Sequence, residues 1–228
     1  ERAYLATESG LHIYDMQTPA APTRLAYVPA PCEAVTVAGR YAFISNAERD
    51  LSVVDLARPK PAVVQRYHSL GNADKMVVVG DLAYLVDPRG NVRILSIGES
   101  GELAERGLLQ LPAPAVRLAL LDRNWLVVAA HAMILVVDVA DPTAPMITAV
   151  HPIAAYTIDL VIENHYLYIA NTNHGIEVFD AADPRSLRKV GVHPVSGGAY
   201  RLAVRDGTVY IAGGFGGVTI LSHEAGQR

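Results

Sequence analysis

Short apolar runs separated by turn residues dominate the chain. The runs are rich in Val, Ile, Leu and Tyr, and they end at Gly, Pro, Asp or Asn. Runs of β-branched and aromatic residues with this punctuation are typical of β-strands joined by tight turns. No segment keeps a helical periodicity over the length of a helix, so the pattern predicts an all-β fold.

An apolar triplet that ends in a turn residue recurs along the whole chain. Its copies are Ile13-Tyr14-Asp15, Val53-Val54-Asp55, Ile94-Leu95-Ser96, Val136-Val137-Asp138, Val178-Phe179-Asp180 and Ile220-Leu221-Ser222. The intervals between their last residues are 40, 41, 42, 42 and 42. A second apolar run precedes each triplet with the same period, from Ala3-Tyr4-Leu5-Ala6 to Val209-Tyr210-Ile211-Ala212. The even spacing predicts six copies of one unit.

Each unit has room for four antiparallel strands. The two anchoring runs are joined by hairpin turns such as Glu8-Ser9-Gly10, and an Asp/Pro turn such as Asp138 to Pro142 precedes a more variable last strand. An Asp carboxylate in such a turn can accept a hydrogen bond from the backbone N–H two residues on. Ser96 and Ser222 stand where this Asp is expected. A further strand opens five units: Ala34–Val37, Lys75–Val79, Arg117–Leu121, Asp159–Ile162 and Arg201–Val204.

A repeat of about 40–45 residues with four antiparallel strands is typical of a β-propeller blade. We therefore predict one β-propeller domain over residues 1–228. Its units are 1–31, 32–71, 72–113, 114–154, 155–197 and 198–228. The first unit lacks the opening strand and the last lacks the closing strand. Six blades with incomplete ends are thus the first prediction and five blades the second. A fragment of a longer chain, strands from a neighbouring subunit, or an open or five-plus-partial ring would each explain the unfinished ends.

Several segments carry a family resemblance: LSVVDLARPKP from Leu51, ILVVDVADPTAP from Ile134, and IEVFDAADPRSL from Ile176 with YLYIAN before it. In these segments the chain resembles LVIVD-repeat proteins, a β-propeller family found largely on prokaryotic surfaces. The resemblance implies the propeller fold and favours an extracellular or cell-surface location. It implies no particular reaction, because the family's signature residues are structural.

The composition limits the classes of binding partner. Charged residues make up 18% of the chain and the net charge is −4, which gives no electrostatic footprint for nucleic acid or anionic lipid. The longest nearly apolar stretch, Leu126 to Ala140, is interrupted by His131 and is too short to span a bilayer. Cys32 is the sole cysteine and predicts neither a disulfide nor a metal framework. We predict no nucleic-acid partner and no membrane insertion.

Motifs of the common enzyme classes are missing from the sequence. It contains no nucleophile elbow, zinc-protease motif, C-x-x-C pair, P-loop or dinucleotide fingerprint. The glycine run Gly213 to Gly217 precedes a strand, whereas a phosphate loop needs a following helix, so it predicts a hairpin turn. The sequence thus favours a non-enzymatic binding or scaffold protein without a cofactor. Its unfinished blades expose strand edges, which suit a protein partner or another subunit.

Charged residues recur at the start of the innermost strands, where the loops of a propeller reach the channel mouth. They are Glu33, Asp74, Lys75, Arg117, Asp159 and Arg201. In one interpretation they form a ring of compensating ion pairs. In the other, Lys75, Arg117 and Arg201 bind a small polar or anionic ligand, because guanidinium groups bind carboxylates in a bidentate manner.

Three histidines share one repeat position after the last strand of their units: His68, His151 and His193. Imidazole is a common metal ligand, so a metal site is one hypothesis and common repeat ancestry is the other. A rival function follows from the first: a metal-dependent hydrolase or lactonase-like enzyme with an axial site, using Glu33, Asp74, Asp159 and a histidine.

Tyrosines near the loops between units suggest a third function. Tyr27, Tyr67, Tyr156 and Tyr200 could stack on sugar rings in a carbohydrate-binding site. The alternative is that they pack between blades with a solvated hydroxyl.

Overall fold

The computed structural model describes residues 1–153, 156–172 and 174–222. The described residues are organised as β-strands with two short 3-10 turns, which confirms the all-β prediction. They fall into two compact units, Glu1–Gln110 and Leu111–Arg228. We call these two larger parts unit 1 and unit 2, and each contains three antiparallel sheets, or blades, one for each repeat. The predicted repeat boundary at residues 154 and 155 lies outside the described residues.

Unit 1 contains blades 1, 2 and 3. Blade 1 consists of β1 (Arg2–Thr7), β2 (Gly10–Asp15) and β3 (Thr23–Val28). Blade 2 consists of β4 (Ala34–Ala38), β5 (Tyr41–Ser45), β6 (Leu51–Asp55) and β7 (Ala62–Tyr67). Blade 3 consists of β8 (Met76–Val79), β9 (Leu82–Val86), β10 (Val92–Ile97) and β11 (Leu103–Leu109), with a 3-10 turn at Ala73–Lys75 before it.

Unit 2 contains blades 4, 5 and 6. Blade 4 consists of β12 (Ala115–Leu120), β13 (Trp125–Ala130), β14 (Met133–Asp138) and β15 (Met146–Pro152). Blade 5 consists of β16 (Thr157–Glu163), β17 (Tyr166–Asn171), β18 (Gly175–Asp180) and β19 (Arg188–His193). Blade 6 consists of β20 (Arg201–Arg205), β21 (Thr208–Ala212) and β22 (Val218–Ser222), with a 3-10 turn at Gly214–Gly216.

Every blade is an antiparallel meander in which each strand pairs with its neighbours in the chain. Blades 2 to 5 have four strands each, whereas blades 1 and 6 have three among the described residues. In the repeat register, the described residues supply no first strand for blade 1 and no fourth strand for blade 6. The prediction of six blades with incomplete first and last members is confirmed.

The repeat also fixes where the strands bend. In blades 1 to 5, a bulge interrupts the pairing of the third repeat strand with the fourth, within the predicted triplet in every blade. A turn closed by Asp follows in four of them. The Oδ1 atoms of Asp15, Asp55, Asp138 and Asp180 each accept a hydrogen bond of 3.0 Å from the N–H two residues on. The role predicted for this Asp is therefore confirmed.

The hydrophobic core lies between consecutive blades. In unit 1, one cluster joins blades 1 and 2 and another joins blades 2 and 3. In unit 2, clusters join blades 4 and 5 and blades 5 and 6. Both faces of blade 2 and of blade 5 are covered, so β5 and β17 are almost entirely buried. This explains why their sequences are continuous apolar runs and not alternating ones.

Candidate functional site

The predicted inner-strand charges of unit 2 meet in one cluster. Arg117, Asp159 and Arg201 occupy the same register position on β12, β16 and β20. Asp159 Oδ1 lies 3.4 Å from Arg117 Nε and 3.8 Å from Arg201 Nη1. Asp159 Oδ2 accepts a hydrogen bond of 3.0 Å from the backbone N–H of Leu202. Arg117 and Asp159 are largely buried, so the cluster ties three blades together through one carboxylate.

The predicted charges of unit 1 are arranged differently. Glu33 is exposed just before β4, and its backbone N–H donates to the Ser45 carbonyl at 2.8 Å. Asp74 and Lys75 lie in the 3-10 turn, so β8 begins at Met76 and not at Lys75. Asn72 caps this turn, and its Oδ1 accepts from Ser45 Oγ at 2.6 Å. The role of all six charged residues in ligand binding stays a prediction.

The three predicted metal histidines lie at the outer edges of their own blades. His68 follows β7 and is almost fully exposed, with Nδ1 3.2 Å from Asp50 Oδ2. His151 lies on β15, where burial lowers its pKa, and the exposed His193 ends β19. Residues 1–153, 156–172 and 174–222 contain no group of three or more His, Cys, Asp or Glu that could hold a metal ion. The described geometry therefore lends no support to a metal site at these histidines.

The four tyrosines have different surroundings. Tyr67 packs in the core between blades 2 and 3, and its hydroxyl accepts a hydrogen bond of 2.6 Å from the N–H of Leu103. Tyr27 donates to the Ser9 carbonyl at 2.5 Å, and the ring of Tyr156 lies edge-on to His131. Tyr200 packs so closely on the glycine loop that a Cβ at Gly214 would lie 2.9 Å from its ring. Tyr27, Tyr156 and Tyr200 stay exposed.

Blade 6 has an apolar face that sequence reasoning missed. Tyr168 in blade 5 and Tyr210 in blade 6 are equivalent, but Tyr168 is 1% exposed and Tyr210 is 41% exposed. Likewise, Ile176 is 2% exposed and its counterpart Val218 is 68% exposed. The blade 5 residues pack against blade 6. We call Tyr210, Val218 and Ile220 the open face of blade 6.

In blade 1, an exposed face corresponds to the face of blade 6 that packs against blade 5. Leu5, His12 and Tyr27 lie in one row across β1, β2 and β3. Leu5 is 52% exposed, whereas its counterpart in blade 6, Ile211, is fully buried against blade 5. The ring of His12 lies 4.8 Å from that of Tyr27. This row is the open face of blade 1.

A cavity of about 400 Å³ lies between the outer parts of blades 5 and 6. Val192 and His193 of β19 line one side, and Leu221 and Ser222 of β22 line the other. The described part of blade 6 offers no fourth strand to fill this space. The unfinished first and last repeats were the sequence signal that pointed to uncovered surfaces on blades 1 and 6.

Solved structures with low sequence identity share the architecture. A protein from Lactobacillus plantarum aligns with a TM-score of 0.76 at 15% identity, over 97% of this chain and 81% of its own. The periplasmic gluconolactonase of Pseudomonas aeruginosa aligns with a TM-score of 0.73 at 15% identity, over 93% and 72%. BamB from Moraxella catarrhalis aligns with a TM-score of 0.65 at 17% identity, over 100% and 70%. These likenesses show the fold alone, and with the blades described above they define a β-propeller.

The sequence gives the narrower assignment. The family model of the LVIVD repeat matches residues 32–68 and 154–192, which confirms the resemblance. Two LVIVD repeats within a six-blade β-propeller are consistent with an LVIVD-repeat propeller. No curated protein matches it. Among the described residues, no helix has the length and apolar character needed to cross a membrane.

Proposed function

We propose that the chain is a non-enzymatic binding and scaffold protein that assembles through its terminal blades. The open face of blade 6 in one copy packs against the open face of blade 1 in the next. One observation carries this proposal. Tyr210 and Val218 are exposed in blade 6, whereas the equivalent residues of blade 5, Tyr168 and Ile176, are buried.

The packing within unit 2 supports the pairing of these two faces. Between blades 5 and 6, the row of Tyr168 and Val178 meets the row that contains Ile211. Tyr210 and Ile220 repeat the first row in blade 6. Leu5 repeats the position of Ile211 in blade 1. Two copies can therefore pack through the same kinds of apolar surface that blades 5 and 6 bury against each other.

The interface would be heterologous, because different surfaces meet. Such an interface builds rings where the rotation closes and open chains where it does not. Exposed apolar patches of this kind mark interaction sites on soluble proteins, and aromatic residues are enriched at such interfaces. In an open chain of copies, one face of each kind stays free at the two ends, which suits a scaffold role.

An enzymatic function has less support. The likeness to a gluconolactonase concerns the fold, and the same fold carries unrelated functions. Asp159, the acid expected in a lactonase-like site, faces two arginines and one backbone N–H. This environment suits a structural ion pair better than a general base.

Analytical ultracentrifugation of the full chain over a concentration series tests the proposal. We expect the average mass to rise with concentration and Ile220→Lys to hold the chain in its smallest form, because a buried unpaired charge opposes association. Val150→Lys is the matched control, since Val150 is a similarly exposed apolar residue on the outer strand β15. A chain that stays monomeric at all concentrations, or an equal effect of the control, would contradict the proposal.

A further inference from the structure

Three arginines line one cavity in unit 1, although the chain as a whole is acidic. The cavity has a volume of about 540 Å³ and lies between blades 1 and 2, at the end where β4 turns into β5. Arg2, Arg40 and Arg58 line it together with Tyr4 and Leu56. Unit 1 is described in full, and no acidic residue belongs to the lining of this cavity. We call it the arginine cleft.

Asp55 fixes the positions of two of these arginines. Its carboxylate accepts hydrogen bonds from Arg40 Nε at 2.9 Å, from Arg40 Nη2 at 2.7 Å and from Arg58 Nε at 3.3 Å. Asp55 is buried, and the Arg40 guanidinium holds the pKa of its carboxyl well below the usual range. Both arginine side chains remain about half exposed. Since each guanidinium has five N–H donors, both keep donors for a second acceptor.

Arg2 is less constrained. It forms no ion pair with the described residues, although it stands opposite Asp15 in the pairing of β1 with β2. In formal charge, Asp55 and the cross-strand neighbour Asp15 leave one positive charge of the three arginines uncompensated. The remaining positive charge matches a monoanion better than a dianion.

A smaller pocket with more aliphatic lining adjoins the arginine cleft. It has a volume of about 160 Å³, shares Arg2, Arg58 and Leu56 with the larger cavity, and is otherwise lined by residues such as Ile13 and Leu25. The cleft is therefore amphipathic, because Arg2 and Arg58 line both cavities and the aliphatic side chains of Ile13 and Leu25 line the smaller one. Small-molecule sites combine a mostly apolar wall with a few polar groups in this way.

We propose that the arginine cleft binds a small monocarboxylate that carries a short apolar group. Arg2 and Arg58 hold the carboxylate, Arg40 is positioned by Asp55 to assist, and the apolar group enters the pocket beside Leu25. A free short-chain acid and the C-terminus of a polypeptide that ends in an apolar residue both have this chemistry. This site is separate from the proposed assembly faces and does not depend on them.

Isothermal titration calorimetry of the full chain with hexanoate tests the site. Acetate serves as the head-group probe, hexan-1-ol as the tail probe and inorganic phosphate as the dianion probe. We expect hexanoate to bind at least about tenfold more tightly than each of them, because only hexanoate uses both ends of the cleft. N-acetyl-Gly-Leu with a free and with an amidated C-terminus distinguishes the two sources. Tighter binding of the free peptide than of hexanoate would identify a polypeptide terminus.

Variants locate the binding. Arg2→Ala and Arg58→Ala should each weaken hexanoate binding about tenfold, the loss expected for one charge-assisted contact. Leu25→Ser should weaken hexanoate but not acetate. Arg205→Ala is the control, because it removes the same charge from an almost fully exposed site in blade 6. Undetectable hexanoate binding, phosphate binding as tight as that of hexanoate, or an equal loss in Arg205→Ala would overturn the proposal.

Discussion

Blades 5 and 6 are built from the same repeat, yet their surroundings differ. Blade 5 packs against blade 4 on one face and blade 6 on the other, so Tyr168 is buried. Blade 6 keeps the strand order and the register of blade 5, but Tyr210 is exposed on its open face. The comparison teaches that the repeat sets strand pairing, whereas the neighbouring blade sets burial. An apolar residue of the repeat is therefore a core residue in one blade and a contact residue in another.

The largest effect is expected from a substitution of the buried tyrosine in blade 5. Tyr168→Ala should cost about 3–5 kcal/mol of unfolding free energy, because it opens a cavity between two blades. Tyr210→Ala removes the equivalent exposed ring and should change stability by about 0.5 kcal/mol or less. Urea unfolding at low protein concentration measures both. Similar losses in the two variants would show that the exposure difference carries no energetic weight.

A smaller effect is expected at the charged cluster that joins the blades. Asp159→Ala leaves the largely buried Arg117 without this carboxylate and should cost about 2 kcal/mol, between the values for surface and fully buried pairs. Arg201→Ala, at the equivalent position of blade 6, should cost less than about 1 kcal/mol because Arg201 is half exposed. Denaturant titrations compare the two. The reverse order would contradict a clamp centred on Asp159.

The smallest effect concerns the Asp turn, which blade 5 has and blade 6 lacks. The N–H of Ala182 and the guanidinium of Arg188 lower the pKa of Asp180. A lowered folded-state pKa stabilises the protein above the unfolded value of about 3.9, and this contribution is lost as the pH falls. Asp180→Ser, which copies Ser222, should lower the melting temperature near neutral pH but hardly at about pH 2. An equal change at both pH values would refute this role, and Ser222→Ala is the control.

Much of the fold could be predicted because the same apolar and turn residues recur at the same positions of each repeat. The triplets fix the third strands, and the Asp after them closes the following turn in four blades, as expected from its side chain. Even the bulges fall at one repeat position. The start of β8 could not be predicted, because Asn72 and Ser45 close a 3-10 turn through contacts distant in sequence.

The candidate surfaces were harder to predict from the sequence. Repeat position singled out Arg117, Asp159 and Arg201, but the pattern did not indicate that one carboxylate would lie between two arginines. Exposure of Tyr210 and Leu5 depends on which blade covers them, and repeat equivalence makes them look like core residues. The arginine cleft combines a strand of the first repeat with a turn and a loop of the second, so no local sequence motif indicates it.

The most direct test of assembly through terminal blades is a mixing experiment by sedimentation velocity. Leu5→Lys damages the open face of blade 1, and Ile220→Lys damages that of blade 6. We predict that neither variant associates alone, whereas an equimolar mixture forms pairs and nothing larger, because each variant keeps the face that its partner lacks. A mixture in which both variants remain separate, or a single variant that still associates like the unmodified chain, would contradict the account.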